Sequence, residues 1–212
     1  FLDLYTEKGL YGEEIYHSAF DTLLKYKNLS PDITMKELYD FSHIELNLYS
    51  IKIDDFTLTN ISYKTHPNMK LITAFHCSSS YPLLFKPAFY ENKYYIDGGI
   101  LLNYPMNFCI EDVENKDEIL GIDLNTHKEK IFTPDTNVFK YGYHIISSIM
   151  KLSRKKDQFN IKNELIIPRE TVSINKGSSV ISDEAVRTEY IQEGEKYAKL
   201  FLAYKKQKKL KC

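Results

Sequence analysis

With 212 residues the chain is long enough for one large domain or two small ones, and its formal net charge of −1 excludes a global field that would draw nucleic acid or anionic lipid. Its 43% hydrophobic and 27% charged content is that of a globular protein, and no apolar run approaches the roughly 18 residues of a membrane span. Three widely spaced cysteines (Cys77, Cys109, Cys212) and six histidines without metal-ligand spacing lead us to expect free thiols, a reducing compartment, no structural metal and no cofactor.

Phe1 to Tyr5 reads as the end of a helix, stopped by Gly9 and followed by a connector through Gly12. From Glu13 to Lys27, apolar residues at Ile15, Tyr16, Ala19, Phe20, Leu23 and Leu24 form a helical stripe. Thr34-x-x-Glu37 is a capping box that opens a short helix through Leu38 and Tyr39. Ile44, Leu46 and Leu48, then Phe56, Leu58 and Ile61, predict two strands around a turn at Asp54-Asp55.

Pro67 suits a first helical position, and Met69 to Cys77 continues as a helix that becomes rich in small residues and stops before Pro82. Tyr81 to Pro87 reads as an irregular loop, and Phe89-Tyr90 with Tyr94 to Ile96 as a hairpin across Glu91-Asn92-Lys93. After Asn103-Tyr104-Pro105 a helix carries Met106, Phe108, Cys109 and Ile110. Residues 118–124 read as a buried strand, and 125–135 as a long loop. A helix runs from Val138 to Leu152 with Lys151, Arg154, Lys155 and Lys156 at its end, where cations suit the dipole. Leu165 to Pro168 is a short strand, and Ser182 or Asp183 caps a last helix with Ala185, Tyr190, Ile191, Gly194, Tyr197, Ala198, Phe201 and Leu202 on its inner face. Strands alternate with helices from Pro67 onward without repeat or linker, which predicts an α/β layered sheet in a single domain spanning 1–212.

The residue with the strongest claim to chemistry is Asp97. A strand ends at Ile96, Gly98 and Gly99 supply a turn, and the carboxylate is left on its rim. Hairpin chemistry alone also explains an Asp-Gly turn. Ser78, Ser79 and Ser80 read as a helix end whose hydroxyls bond to the backbone. Gly177-Ser178-Ser179 is followed by Val180, so it is no nucleophile elbow, and G-x-S-x-G occurs nowhere in the chain. His76 and His144 read as helix histidines, so a Ser-His-Asp triad does not assemble from this sequence. The lysine-rich run Lys205 to Lys211 is either a solvated helix end or a contact for an anionic membrane surface.

One ordered set of residues goes further. Ala74, Cys77-Ser78, Pro82, Phe85 and Pro87 are followed by Tyr95-x-Asp97-Gly98-Gly99 and then Asn103-x-Pro105. This order resembles the second half of the patatin-like phospholipase family. Gly9-Leu10-Tyr11-Gly12, Thr34-x-x-Glu37-Leu38 and the closing helix are similar to flanking segments of the same family. The resemblance implies a three-layer α/β/α fold, N-terminally incomplete, and a lipid acyl hydrolase of phospholipase A type working through a Ser-Asp dyad without histidine.

By that resemblance Asp97 is the dyad aspartate, Gly98 and Gly99 aim it, and Asn103 and Pro105 belong to the supporting motif. The implied substrate is a phospholipid or another acyl-ester lipid, and the implied location is the cytoplasm, peripheral at membranes. The family's G-x-S-x-G nucleophile and its glycine-rich oxyanion loop lie upstream of the part matching Gly9 to Gly12, and neither is in this chain. We therefore expect the chain to begin just after the nucleophile helix, and to have no acyl-hydrolase activity by itself while its parent has it. Two other readings stay open: a catalytically inactive patatin-like scaffold that binds lipid or protein, and an unrelated α/β domain in which Asp97 only shapes a turn.

Overall fold

The computed structural model describes residues 2–127, 133–153, 161–170 and 183–209. In chain order the first elements are α1 (Leu2–Glu7), α2 (Glu14–Tyr26), α3 (Met35–Ser42), β1 (Leu48–Lys52), β2 (Thr57–Ile61), α4 (Leu71–Ser79), β3 (Ala88–Tyr90) and β4 (Lys93–Asp97). A 3₁₀ turn over Gly98–Ile100 follows, then α5 (Met106–Glu111), a second 3₁₀ turn (Lys116–Glu118), β5 (Gly121–His127), α6 (Val138–Ser153), β6 (Glu164–Glu170) and α7 (Glu184–Lys209). The fold is α/β. It divides into one unit of Phe1–Tyr104 with Ile131–Lys156, and another of Pro105–Lys130 with Asp157–Cys212.

The first unit is built on an antiparallel sheet in the order β2-β1-β4-β3. Side chains alternate across it, so each strand feeds two cores. On one face Tyr95, Ala88 and Ile61 pack with Leu71, Ile72, Ala74 and Cys77 of α4. On the other, Ile51 and Ile96 pack with Ile100 of the 3₁₀ turn and with Ile146 and Met150 of α6. Helix α2 lies on α4, where Phe20 stacks on Phe75 at 4.6 Å. The buried edge of its stripe is Tyr16 and Leu24, whereas Leu23 is exposed.

The local signals explain most boundaries. Thr34 accepts the Glu37 N–H at 3.2 Å, and the Glu37 carboxylate accepts the Thr34 N–H at 2.8 Å. Such a cap stabilises a helix start by about 1 kcal/mol. The β3–β4 connection is a two-residue turn, Glu91-Asn92, with both φ angles positive at 47° and 59°. That is the turn geometry whose twist matches the flanking strands. Asp55 accepts both the N–H and the hydroxyl of Thr57, so the acidic pair at 54–55 belongs to the β1–β2 turn.

Other boundaries differ from the sequence reading. Pro67 does not open a helix. Its carbonyl accepts the Lys36 N–H and that of Met69 accepts the Met35 N–H, so this segment is spent on the first turn of α3, and the helix starts at Leu71. Ile44 and Leu46 precede β1, because α3 ends at His43 in a left-handed conformation and the strand begins only at Leu48.

In the second unit β5 pairs in parallel with β6 from Gly121↔Glu164 to His127↔Glu170, so the strand extends into what the sequence suggests as loop. Its apolar residues are not buried: Ile122 is 55% and Leu124 44% exposed. Asp183 accepts the Ala185 N–H at 2.8 Å and caps α7, of which no described side chain is buried. Arg154-Lys155-Lys156, Gly177-Ser178-Ser179, Ser182 and Cys212 lie outside the described residues.

Gly98 is closely enclosed by the backbone of β1. A Cβ placed there would stand 2.3 Å from the Tyr49 carbonyl oxygen of β1, a backbone atom that cannot swing aside. We expect Gly98→Ala to destabilise the chain by at least about 2 kcal/mol in urea denaturation. Gly99→Ala should cost less, because its nearest neighbours are the side chains of Asn103, Asp97 and Met150. Equal stabilities for the two variants would contradict this account.

Candidate active site at Asp97

Asp97 is held by the backbone on both sides. Its N–H donates to the Ser80 carbonyl at 3.0 Å, which ties the end of β4 to the end of α4. Its Oδ1 accepts the Gly99 N–H at 2.7 Å, so the residue that closes the strand also caps the 3₁₀ turn after it. Leu101 and Leu102 donate to the Gly98 carbonyl and close that turn. No described glycine has a positive φ, so Gly98 and Gly99 are needed here for space and not for an unusual backbone angle. The Asn103 Oδ1 lies 3.0 Å from the place a Gly99 Cβ would take. Pro105 stands at the start of α5.

Burial pushes the Asp97 carboxyl up to about 6, against the Gly99 N–H, which pulls it down. Among the described residues Gly99 is the only hydrogen-bond donor to this carboxylate. A half-buried acid with one oxygen fixed and the other undonated is a better proton acceptor than an ordinary aspartate, and it remains largely ionised at pH 7.

Two tyrosines feel its charge. Burial raises both Tyr16 and Tyr81, and the Asp97 carboxylate raises them further. Their protons are directed elsewhere. The Tyr16 hydroxyl meets Ser79 Oγ at 2.8 Å, and the Tyr81 hydroxyl meets Ser147 Oγ at 3.0 Å. Those serine hydroxyls donate in turn to the Phe75 and Tyr143 carbonyls, each at 2.6 Å. The tyrosines are therefore the donors in each pair, and neither donates to Asp97.

Every serine at this junction is likewise committed to a carbonyl. Ser78 Oγ donates to Tyr49 at 2.9 Å, Ser80 Oγ to His76, and Ser50 Oγ lies 2.7 Å from the Cys77 oxygen and 2.9 Å from that of Ile96. None stands ready as a nucleophile. Burial pushes the Cys77 thiol up to about 12, so it is inert as well. His76 is buried on α4, with Nε2 at 3.0 Å from the Lys86 carbonyl and Nδ1 at 3.7 Å from Glu13. His144 lies half-buried on α6. Among the described residues no cluster of His, Cys, Asp and Glu is built to hold a metal ion.

The sequence shows Tyr16 only as part of a helical stripe and Tyr81 only as the start of a loop, and it singles out Ser50 not at all.

Residues 1–110 match the family model for Patatin-like phospholipase, a span that includes Asp97, Gly98, Gly99, Asn103 and Pro105. The chain belongs to the patatin-like phospholipase family. It is 30% identical over 141 residues to a probable lipid hydrolase of Invertebrate iridescent virus 6, an alignment covering 61% of this chain and 47% of that protein. It is 26% identical over 184 residues to an uncharacterized protein of Acanthamoeba polyphaga mimivirus, covering 83% of this chain and 58% of that protein. The chain thus spans about half the length of the curated relatives it matches. Among the described residues of this patatin-like chain, the turn at Asp97 is where burial has made a carboxylate more basic.

That basicity has a thermodynamic signature. The folded carboxyl, raised to about 6, keeps its proton where the unfolded chain, near 3.8, releases it. Stability therefore falls as pH rises from about 4 to 6, by on the order of 3 kcal/mol, and stays lower above that window. Asp97→Asn keeps an oxygen for the Gly99 N–H and removes the charge. We expect it to melt above the parent chain at pH 7.5, with the gap closing towards pH 4. Scanning calorimetry at the two pH values checks this, and a variant that melts lower at pH 7.5 would refute it.

Proposed function

We propose that this chain carries the general base of a lipid acyl hydrolase of phospholipase A type, with Asp97 as the aspartate of a Ser-Asp dyad and a phospholipid or related acyl ester as substrate. The observation that carries the reading is Asp97 itself: raised to about 6 by burial, gripped through one oxygen by Gly99, and lying in an Asp-Gly-Gly within the residues that match the patatin-like family. The similarity to a probable lipid hydrolase of Invertebrate iridescent virus 6 is in keeping with it.

In this mechanism a serine Oγ attacks the ester carbonyl carbon while its proton passes to the Asp97 carboxylate. The tetrahedral intermediate collapses, the bond to the alcohol oxygen breaks, and Asp97 returns the proton to the departing alkoxide. Water then attacks the acyl-serine, Asp97 takes the water proton, and the fatty acid leaves as the serine recovers its hydrogen. A base near 6 is ionised at neutral pH and still accepts a proton as the serine oxygen develops its bond.

Among the described residues the serines at the Asp97 junction donate their hydroxyls to carbonyls, and the 212 residues hold no G-x-S-x-G. We therefore assign the nucleophile to sequence outside this chain, and the chain alone as inactive. An inactive lipid- or protein-binding scaffold is the competing reading, and one assay separates the two.

The protein bearing this chain together with a serine elbow should release fatty acid from phosphatidylcholine vesicles. Asp97→Asn should lower kcat by about 10²-fold to 10⁴-fold, the contribution of a positioned base. The pH profile of kcat/KM should rise with a midpoint near 6. Turnover by the isolated 212 residues that is lost in Asp97→Asn would overturn the assignment of the nucleophile, and full activity of the Asp97→Asn protein would overturn the role of Asp97.

A further inference from the structure

Ser50 lies directly opposite Asp97 in the β1–β4 register and is fully buried. Its single hydroxyl hydrogen faces two carbonyl oxygens, Cys77 at 2.7 Å and Ile96 at 2.9 Å. Cys77 belongs to the last turn of α4, whose carbonyls have no donor of their own helix to meet. Ile96 is the residue before Asp97. One buried hydroxyl on β1 therefore bridges the helix end and the strand end between which the Asp97 backbone is stretched.

The bonds on either side make the same junction from other directions. Ser78 of α4 donates to Tyr49 of β1, and the Asp97 N–H donates to Ser80. The Tyr49 carbonyl is also the atom that forbids a side chain at Gly98. Ser50 sits at the centre of this set, and it is the member that touches both α4 and β4.

We propose that Ser50 is a positioning residue for Asp97: its hydroxyl fixes the end of α4 against the end of β4 and thereby the place at which the Asp97 carboxylate leaves the sheet. The consequence for turnover rests on the reading of Asp97 as a base; the structural claim does not. Replacing the hydroxyl by hydrogen leaves two buried carbonyls without their shared donor, and the junction must open to water or shift. Either change reaches Asp97 through the Ile96–Asp97 peptide on one side, and through residues 77–80 and the Ser80 carbonyl on the other.

The test is carbon NMR titration of the Asp97 carboxyl in the full chain, in the parent and in Ser50→Ala, Ser50→Cys and Ser62→Ala. Ser62 is the control, as buried as Ser50 but bonded around Thr65 and Lys64 and not to the Asp97 junction. Ser50→Ala should move the Asp97 midpoint down, towards ordinary carboxylates, by about 0.5 unit or more. Ser62→Ala should leave it unmoved even if it lowers the melting temperature as much. Ser50→Cys fills the same space with a weak donor and carries the test should Ser50→Ala not fold; it is expected to shift Asp97 in the same direction. In the protein with its serine elbow, kcat should fall about tenfold with KM unchanged. An Asp97 midpoint unaltered in a folded Ser50 variant, or one altered equally by Ser62→Ala, would overturn the proposal. The titration decides the role of Ser50, while the Asp97→Asn assay decides the hydrolase reading, so failure of one is not read as failure of the other.

Discussion

The first unit depends on how a buried helix end disposes of its carbonyl groups. Helix α4 is covered by the sheet and by α2, and it stops at Ser79 without a glycine to turn the chain back over its last carbonyls. Those oxygens still require donors. Four serine hydroxyls serve that end: Ser79 donates to Phe75, Ser80 to His76 and Ser50 to Cys77, while Ser78 reaches across to Tyr49 of β1. The Ser80 carbonyl, one residue further, takes the N–H of Asp97. Satisfying a helix terminus has thus set where the strand carrying Asp97 must end.

The same bonds remove competing chemistry. A serine whose proton lies on a carbonyl, in a packed junction, is neither activated nor able to turn towards a substrate. The small residues at the end of α4, read from the sequence as a helix end whose hydroxyls bond to the backbone, are its structural fasteners. Tyr16 and Tyr81 extend the pattern, since each donates to a serine already spent on a helix carbonyl. Their oxygens face the field of Asp97 without lending it a proton, which leaves burial as the main influence on its carboxyl.

How much of this was legible in the sequence follows from how local each signal is. The capping box at Thr34, the stripe of α2 and the β3–β4 hairpin are written in residues a few positions apart, and they appear where such spacing places them. Asp97-Gly98-Gly99 was legible as a motif, but its reason was not. The turn suggested a backbone angle that only glycine adopts, whereas Gly98 is set by the Tyr49 carbonyl of a strand almost fifty positions away in number. Pro67 misled for the same reason: its local preference for a helix start lost to the backbone pairing of Met35 and Lys36 with the 67–69 segment. The exposed faces of Ile122 and Leu124 show the limit of reading an apolar run as a buried strand, because the run does not name its neighbours. Ser50 was invisible because a hydroxyl shared between two distant carbonyls leaves no spacing to recognise.

The two partly buried carboxylates around α4 show why the acid–base role we propose is given to Asp97. Glu13 meets His76 and Thr73, and those partners hold its carboxyl below the ordinary range although burial works against them. Asp97 has one backbone donor, and burial raises it. Environments that drive two carboxyl groups apart in this way separate a structural anion from a proton acceptor. The imidazole is decisive in this division. His76, the histidine on the same helix, is turned to Glu13 and the Lys86 carbonyl, where it ties α4 to the start of α2 and to the loop before β3. Had it faced Asp97, a triad would be the natural reading and the aspartate would need no elevation of its own. With the histidine spent on structure, the mechanism we propose has the carboxylate take the proton directly, and a value near 6 suits an acid with that task better than one near 4.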